Sequence, residues 1–161
     1  MRNLLTVLRA AARPRLHPTG TVECAFRVMP WEVGLRTFRS DRYLAVAEAA
    51  QFDFVTRTGL LRPLLRQGIG WVNLAQASVF QRPLHLMQPF VVSTQVACVD
   101  DRHAYFSHAF SSGQGPHALV LVKAKFKQGG RTVPPESVLG PQPREKSARI
   151  QALDGLLPGA G

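Results

Sequence analysis

MPWEVGLRTFRSDRYLAVAEAAQFDFVTRTGL, residues 29–60, reads as an extended lead-in, an irregular turn and one long alanine-rich helix. Ser40 or Asp41 is placed to cap the helix N-terminus. Gly59 follows Thr58 where a helix commonly ends in a left-handed residue. Leu44, Val46, Ala49, Phe52, Phe54 and Val55 point in all directions around the axis. A helix apolar on nearly every side must be wrapped by other elements, and its alanines let a sheet close tightly around it.

Strand patterns flank this helix. In TVECAFRVM, residues 21–29, Val22, Cys24, Phe26 and Val28 share one face. LLRPLLRQG (60–68) suggests a second, short helix, and WVNLAQASVFQRPL (71–84) a strand that ends or bulges at Pro83. FVVSTQVACV (90–99), the turn Asp100-Asp101-Arg102 and HAYFSHAF (103–110) predict a hairpin. In HALVLVKAKFK (117–127), Ala118, Val120, Val122, Ala124 and Phe126 make one apolar face, and Lys123, Lys125 and Lys127 lie on the other. One buried helix with consecutive antiparallel strands is an α+β pattern.

The 161 residues suit one domain, with 45% hydrophobic and 19% charged residues, a globular balance. Three regions are expected: a basic N-terminal helix or arm over 1–20, the domain proper over 21–135, and a tail over 136–161. Pro134, Pro135, Pro141 and Pro143 suit a tail that wraps the surface or is disordered. No apolar run approaches the roughly 18 residues of a membrane span. Arg9 interrupts the short core that a signal peptide would need. Residues 3–12 therefore read as a helix docked on its own domain, with a peripheral membrane foot as the alternative. Two cysteines, Cys24 and Cys98, without a CxxC spacing suit a reducing, cytoplasmic compartment. The five histidines are scattered, so no metal or cofactor is expected.

The net charge is +10. No acid precedes Glu23, while Arg2, Arg9, Arg13 and Arg15 do, and none lies between Asp101 and Glu136. Such a surface attracts anions such as the phosphates of coenzyme A. Specific nucleic-acid binding is not expected, because no helix-turn-helix, zinc-finger or RNP-like motif accompanies the charge.

Pro30-Trp31-Glu32-Val33-Gly34-Leu35, Arg42-Tyr43-Leu44, Arg57-Thr58-Gly59-Leu60, Arg82-Pro83-Leu84 and Val133-Pro134-Pro135-Glu136 follow one another at spacings that resemble the hotdog-fold acyl-CoA thioesterase-like superfamily, in its 4-hydroxybenzoyl-CoA thioesterase branch. The resemblance spans roughly 21–135. It implies a single hotdog domain, a long central helix wrapped by a curled antiparallel sheet. It also implies a homodimer and a thioesterase-like role, hydrolysing or binding a fatty or aromatic acyl thioester of coenzyme A or acyl carrier protein. A non-catalytic acyl-binding or scaffold protein is the alternative.

The family's catalytic loop is not preserved. Its second, catalytic Asp falls on Gly34 or Val33, its His on Phe38 or Thr37, and its Asn pair among Arg39, Ser40 and Asp41. Thioester hydrolysis needs a carboxylate to attack the carbonyl or activate water, with donors for the oxyanion. Glu32 lies beside the expected position, and Asp41 with Ser40 sits at the helix start. Glu48 falls between Leu44, Phe52 and Val55, where it is expected to be desolvated with a raised pKa. The family's use of helix carboxylates makes it a candidate base. Asn73 and Gln76 interrupt an apolar strand and supply dipoles near a substrate carbonyl. Trp71 and Phe106 are expected to line an acyl channel, and Lys123, Lys125 and Lys127 to meet phosphates. His108 should point inward as a core residue.

Overall fold

The computed structural model describes residues 17–155. The helix expected over 3–12 lies outside them. Strand β1 (Val22–Arg27) leads through a 3-10 turn (Pro30–Glu32) into helix α1 (Ser40–Arg57). A short helix α2 (Leu61–Gln67) is followed by β2 (Ile69–Phe80), β3 (Pro89–Val99), β4 (Ala104–Ser112), β5 (Gly115–Gln128) and β6 (Arg131–Val133). Helices α3 (Pro135–Leu139) and α4 (Ala148–Gly155) close the chain. The strands form one antiparallel sheet in the order β1-β3-β4-β5-β2, with β6 added to β5. This curled sheet around α1 is the expected hotdog domain.

Alternation explains what the sheet holds. Phe90, Val92, Phe106, Phe110, Val120 and Val122 point from successive strands onto α1, where Tyr43, Val46, Ala47, Ala50 and Phe54 meet them. Aromatic rings dominate the contact: Phe54 meets Phe106 edge-on at 5.8 Å, and Phe90 stacks on Phe110 at 5.9 Å. Phe106, expected in an acyl channel, is thus part of the solid core.

His108 is one of the fully buried polar residues in this core. Its Nδ1 lies 3.0 Å from Thr94 Oγ1, and burial pushes its pKa from 6.5 down to about 3. The folded chain therefore keeps it neutral across a range in which the unfolded chain protonates it. Stability rises with pH through that window and falls on acidification, with a slope of up to about 1.4 kcal/mol per pH unit from this group. Urea unfolding of His108→Gln between pH 6.5 and 4.5 should lose less stability over that span than the parent. Equal losses would assign the acid sensitivity to other groups.

The start of α1 differs from expectation. Arg39, not Ser40 or Asp41, is the N-cap residue, and it makes no side-chain capping bond. The lead-in is held instead by backbone: Phe38 N–H donates to Leu84 O (2.8 Å) and Arg39 N–H to Glu32 O (3.0 Å). With that geometry imposed from outside, a side-chain cap is dispensable.

Beyond Pro134, residues 135–155 carry helices α3 and α4. Ile150 and Leu153 of α4 bury against Cys98, Tyr105 and Leu121 on the outer sheet face. Each such burial contributes about 2 kcal/mol. A bulge between Val96 and Cys98 turns Cys98 to this outer face while Val99 returns to the core.

A polar clasp completes the outer layer. Tyr105 Oη donates toward Asp154 Oδ1 (2.8 Å) and lies 3.0 Å from Asp100 Oδ2. Lys146 Nζ donates to Asp154 Oδ2 (2.6 Å), Asp100 Oδ2 (2.9 Å) and Tyr105 Oη (2.9 Å). Lys123 Nζ donates to Asp154 Oδ1 at 2.8 Å. Burial raises the Asp100 pKa, but the Arg102 N–H, Lys146, Tyr105 and the His103 N–H together outweigh it and hold the carboxyl far below its ordinary range.

Candidate functional site

The sheet covers only part of α1. The stripe carrying Tyr43, Val46, Ala47, Ala50 and Phe54 is buried, whereas Ala45 and Glu48 are exposed and Phe52 is half-buried. Glu48 is therefore not the desolvated carboxylate expected from the helical projection. Leu44 and Phe52 do flank it, but on the open side. The acid at the buried stripe's edge is Asp53, 1% exposed and 3.5 Å from Arg57. Arg57 also reaches Glu23 O at 2.8 Å.

A groove of about 520 Å³ runs between this open stripe and strand β2, lined by Glu48, Phe52, Gly70, Trp71, Val72, Asn73 and Gln76. Phe52 and Trp71 form its apolar wall, their centroids 4.9 Å apart. A bulge between Asn73 and Ala75 interrupts the β2–β5 register. With strict alternation from Trp71 and Asn73, Ala75 would face α1 and Gln76 would face outward. The extra residue reverses that parity, so Gln76 joins Asn73 in the groove while Ala75 and Ala77 pack on the outer layer. Asn73 Oδ1 is buried with no hydrogen-bond partner among the described residues. The groove thus gathers a solvent-accessible carboxylate, two carboxamides and an aromatic wall.

The other candidates lie elsewhere. Ser40 lines a second groove of about 270 Å³ with Phe38, Tyr43, Phe80, Gln81, Arg82 and Pro83, at the start of α1. Eight residues of helix separate Ser40 from Glu48, about 12 Å, so the two do not converge on one carbonyl within a chain. Asp41 is engaged by Arg39 Nε at 3.0 Å and Arg42 Nε at 3.3 Å, as befits a first-turn acid. Glu32, the carboxylate beside the expected catalytic position, is only 4% exposed, and its Oε2 accepts the Met29 N–H at 3.0 Å. It closes the 3-10 turn. The aligned catalytic loop is a tight turn, with Gly34 N–H donating to Thr37 O at 2.9 Å and Val33 bridged to Phe38.

The three lysines also divide. Lys123 is 7% exposed and held by Asp154, so it is not available to a phosphate. Alternation placed it correctly on the outer face, but the tail folds over that face. Lys125 and Lys127 are half-buried and pair in register with Val72 and Gly70, with side chains on the sheet face away from α1. No group of three or more metal-ligating side chains occurs among the described residues.

The sequence pattern of the thioesterase-like superfamily matches residues 34–142, and this chain belongs to that superfamily. The fold is shared with solved hotdog thioesterases. A probable thioesterase from Escherichia coli is 16% identical with a TM-score of 0.67, covering 73% of this chain and 92% of its own. A 1,4-dihydroxy-2-naphthoyl-CoA thioesterase from Synechocystis is 11% identical, with a TM-score of 0.63 and coverage of 71% and 89%. A substituted 4-hydroxybenzoyl-CoA thioesterase in complex with 4-hydroxybenzoyl-CoA is 12% identical, with a TM-score of 0.64 and coverage of 71% and 91%.

Proposed function

We propose that this chain hydrolyses an acyl thioester of coenzyme A or acyl carrier protein in the groove between α1 and β2. The observation that carries the reading is the meeting of Glu48, Asn73, Gln76 and Trp71 in one groove. In this reading Glu48 takes a proton from water as the water oxygen adds to the thioester carbonyl, or attacks that carbonyl itself. Asn73 and Gln76 supply amide donors for the developing oxyanion. The C–S bond then breaks and the thiolate takes the proton that Glu48 removed from water; where Glu48 attacks directly, the thiolate is protonated by water and a second water hydrolyses the acyl–Glu48 anhydride, restoring the carboxylate. Phe52 and Trp71 hold a flat or extended acyl group, and Lys125 and Lys127, on the outer face of the neighbouring strand β5, meet carrier phosphates that reach round the β2 edge. Named relatives of this fold act on aromatic acyl-CoA substrates, which supports an aromatic acyl group in the test panel.

A panel of fatty and aromatic acyl-CoA and acyl carrier protein thioesters, followed by thiol release across a salt series, tests this. Turnover that weakens with salt, and less steeply after Lys125→Gln with Lys127→Gln, is the expected outcome. A second reading, a non-catalytic acyl-binding protein, is favoured by the carboxylate-free turn at Val33 to Phe38. No turnover on any thioester, together with tight binding of a non-hydrolysable acyl-CoA, would establish it and overturn the first.

The protein is further proposed to be a cytoplasmic homodimer. Strand β2 is an edge of 12 residues whose Val72, Leu74, Val79 and Phe80 are 40–51% exposed, a combination that calls for cover. A monomeric mass by light scattering at micromolar concentration would overturn this assembly. No helix among the described residues is long and apolar enough to cross a membrane. The membrane foot considered for residues 3–12 stays a proposal of the same kind, tested by comparing the sedimentation of the full chain and of a chain lacking that segment with anionic vesicles.

A further inference from the structure

At the end of the molecule where α1 begins, segments 28–39 and 81–88 are joined through their backbones. Met87 N–H donates to Val28 O and Val28 N–H to Gln88 O, both at 3.0 Å, and Thr37 bridges to His85. Four large apolar side chains stand out from this platform. Trp31 is 67% exposed, Leu35 fully, Leu86 50% and Met87 49%. Leu35 occupies the turn closed by Gly34 and Thr37, so its side chain is projected away from the core. Met87 is held at φ 60°, a conformation that residues with side chains rarely adopt. The Arg27 guanidinium donates to its carbonyl at 2.7 Å.

The charge around the platform has one sign. Over residues 27–42 and 81–89 there are five arginines, Arg27, Arg36, Arg39, Arg42 and Arg82, against two acids, Glu32 and Asp41. Glu32 is buried and Asp41 is taken by Arg39 and Arg42. Arg27, Arg36 and Arg82 are exposed and make no salt bridge among the described residues.

We propose that this face docks on an anionic lipid bilayer. Trp31, Leu35, Leu86 and Met87 enter the headgroup boundary, and the arginines meet lipid phosphates. An indole suits the interface by its amphipathic ring, and guanidinium groups bind phosphate through paired donors. Stable adhesion takes two signals, apolar area and cationic charge, and this surface presents both. A second copy of the chain fits less well, because a two-fold contact would set the same arginines against one another. The surface is built from strand-end loops and uses neither the groove nor Glu48, so it stands independently of the hydrolase reading.

Co-sedimentation of the full chain with large vesicles of phosphatidylcholine, with and without about 30 mol% phosphatidylserine, tests the proposal. Binding to the anionic vesicles alone is expected, weakening as salt is raised. Trp31→Ser with Leu35→Ser should lower the partition coefficient at least about tenfold. Arg36→Gln with Arg82→Gln should weaken binding and flatten its salt dependence. Thermal unfolding of each variant confirms the fold, since these side chains are exposed. Absence of binding by the parent chain overturns the proposal, as does unchanged partitioning of the Trp31/Leu35 variant. So does a variant that keeps its vesicle binding but falls from dimer to monomer, which would make this face a contact between copies.

Discussion

Glu48→Gln is expected to lower thioester turnover by about 10²–10⁴-fold, the usual range for losing a positioned general base. The carboxamide keeps the shape and hydrogen-bonding reach of the side chain but can neither take the proton of a water nor form an acyl intermediate. Because the lost interaction belongs to the transition state, kcat and kcat/KM should fall together. Stability should stay within about 0.5 kcal/mol, since Glu48 is exposed and supports no packing. Asp41→Asn is the informative control. Its carboxylate is already held by Arg39 and Arg42, so turnover should change little. A Glu48→Gln protein that keeps its activity would sink the assignment and move the chemistry to the second groove, around Ser40 and Arg82.

Asp154→Ala should have the largest effect on stability, about 2–4 kcal/mol in urea unfolding, toward the lower end because the clasp is partly exposed. The Lys123 side chain is 9% exposed and finds its only salt bridge among the described residues at Asp154. Removing the carboxylate leaves a nearly buried ammonium without its counter-charge, beside a second ammonium on Lys146. Replacing both members, Asp154→Leu with Lys123→Met, should recover much of the loss. An Asp154→Ala protein as stable as the parent would show that α4 docks through Ile150 and Leu153 alone.

The clasp also sets a pH range. Burial raises the Asp154 pKa, but hydrogen bonds from Lys123, Lys146 and Tyr105 outweigh it and lower the value. The contribution of Asp154 is therefore complete above about pH 4, the ordinary carboxylate value, and is lost as pH falls from there. Lys146 works in the opposite sense. Burial lowers its pKa, and its bonds to Asp154, Tyr105 and Asp100 raise it to a value above the ordinary one. Its contribution is complete below about pH 10.4 and is lost as pH rises further. Between these limits the clasp itself should hold α4 evenly.

Periodicity carried the architecture because it reports which face of each element is apolar. Val22, Cys24 and Phe26 of β1, the Ala118-to-Phe126 face of β5 and the inward His108 all follow from alternation alone. The apolar circumference of α1 required a wrapping sheet, and the ordered landmarks from Pro30 to Glu136 pointed to the hotdog arrangement. These are local properties, written residue by residue.

What decided the groove was not local. Glu48 and Asp53 both sit on α1 among apolar neighbours, and only the angular reach of the sheet leaves the first open and buries the second. Gln76 enters the groove through a bulge that shifts parity by one residue, and no composition rule marks its place. Lys123 has the outward parity of Lys125 and Lys127, yet it is closed off because the tail returns across the sheet, bringing Lys146 and Asp154 to Tyr105. Such contacts join residues tens of positions apart, and their partners are set by chain path rather than by sequence period.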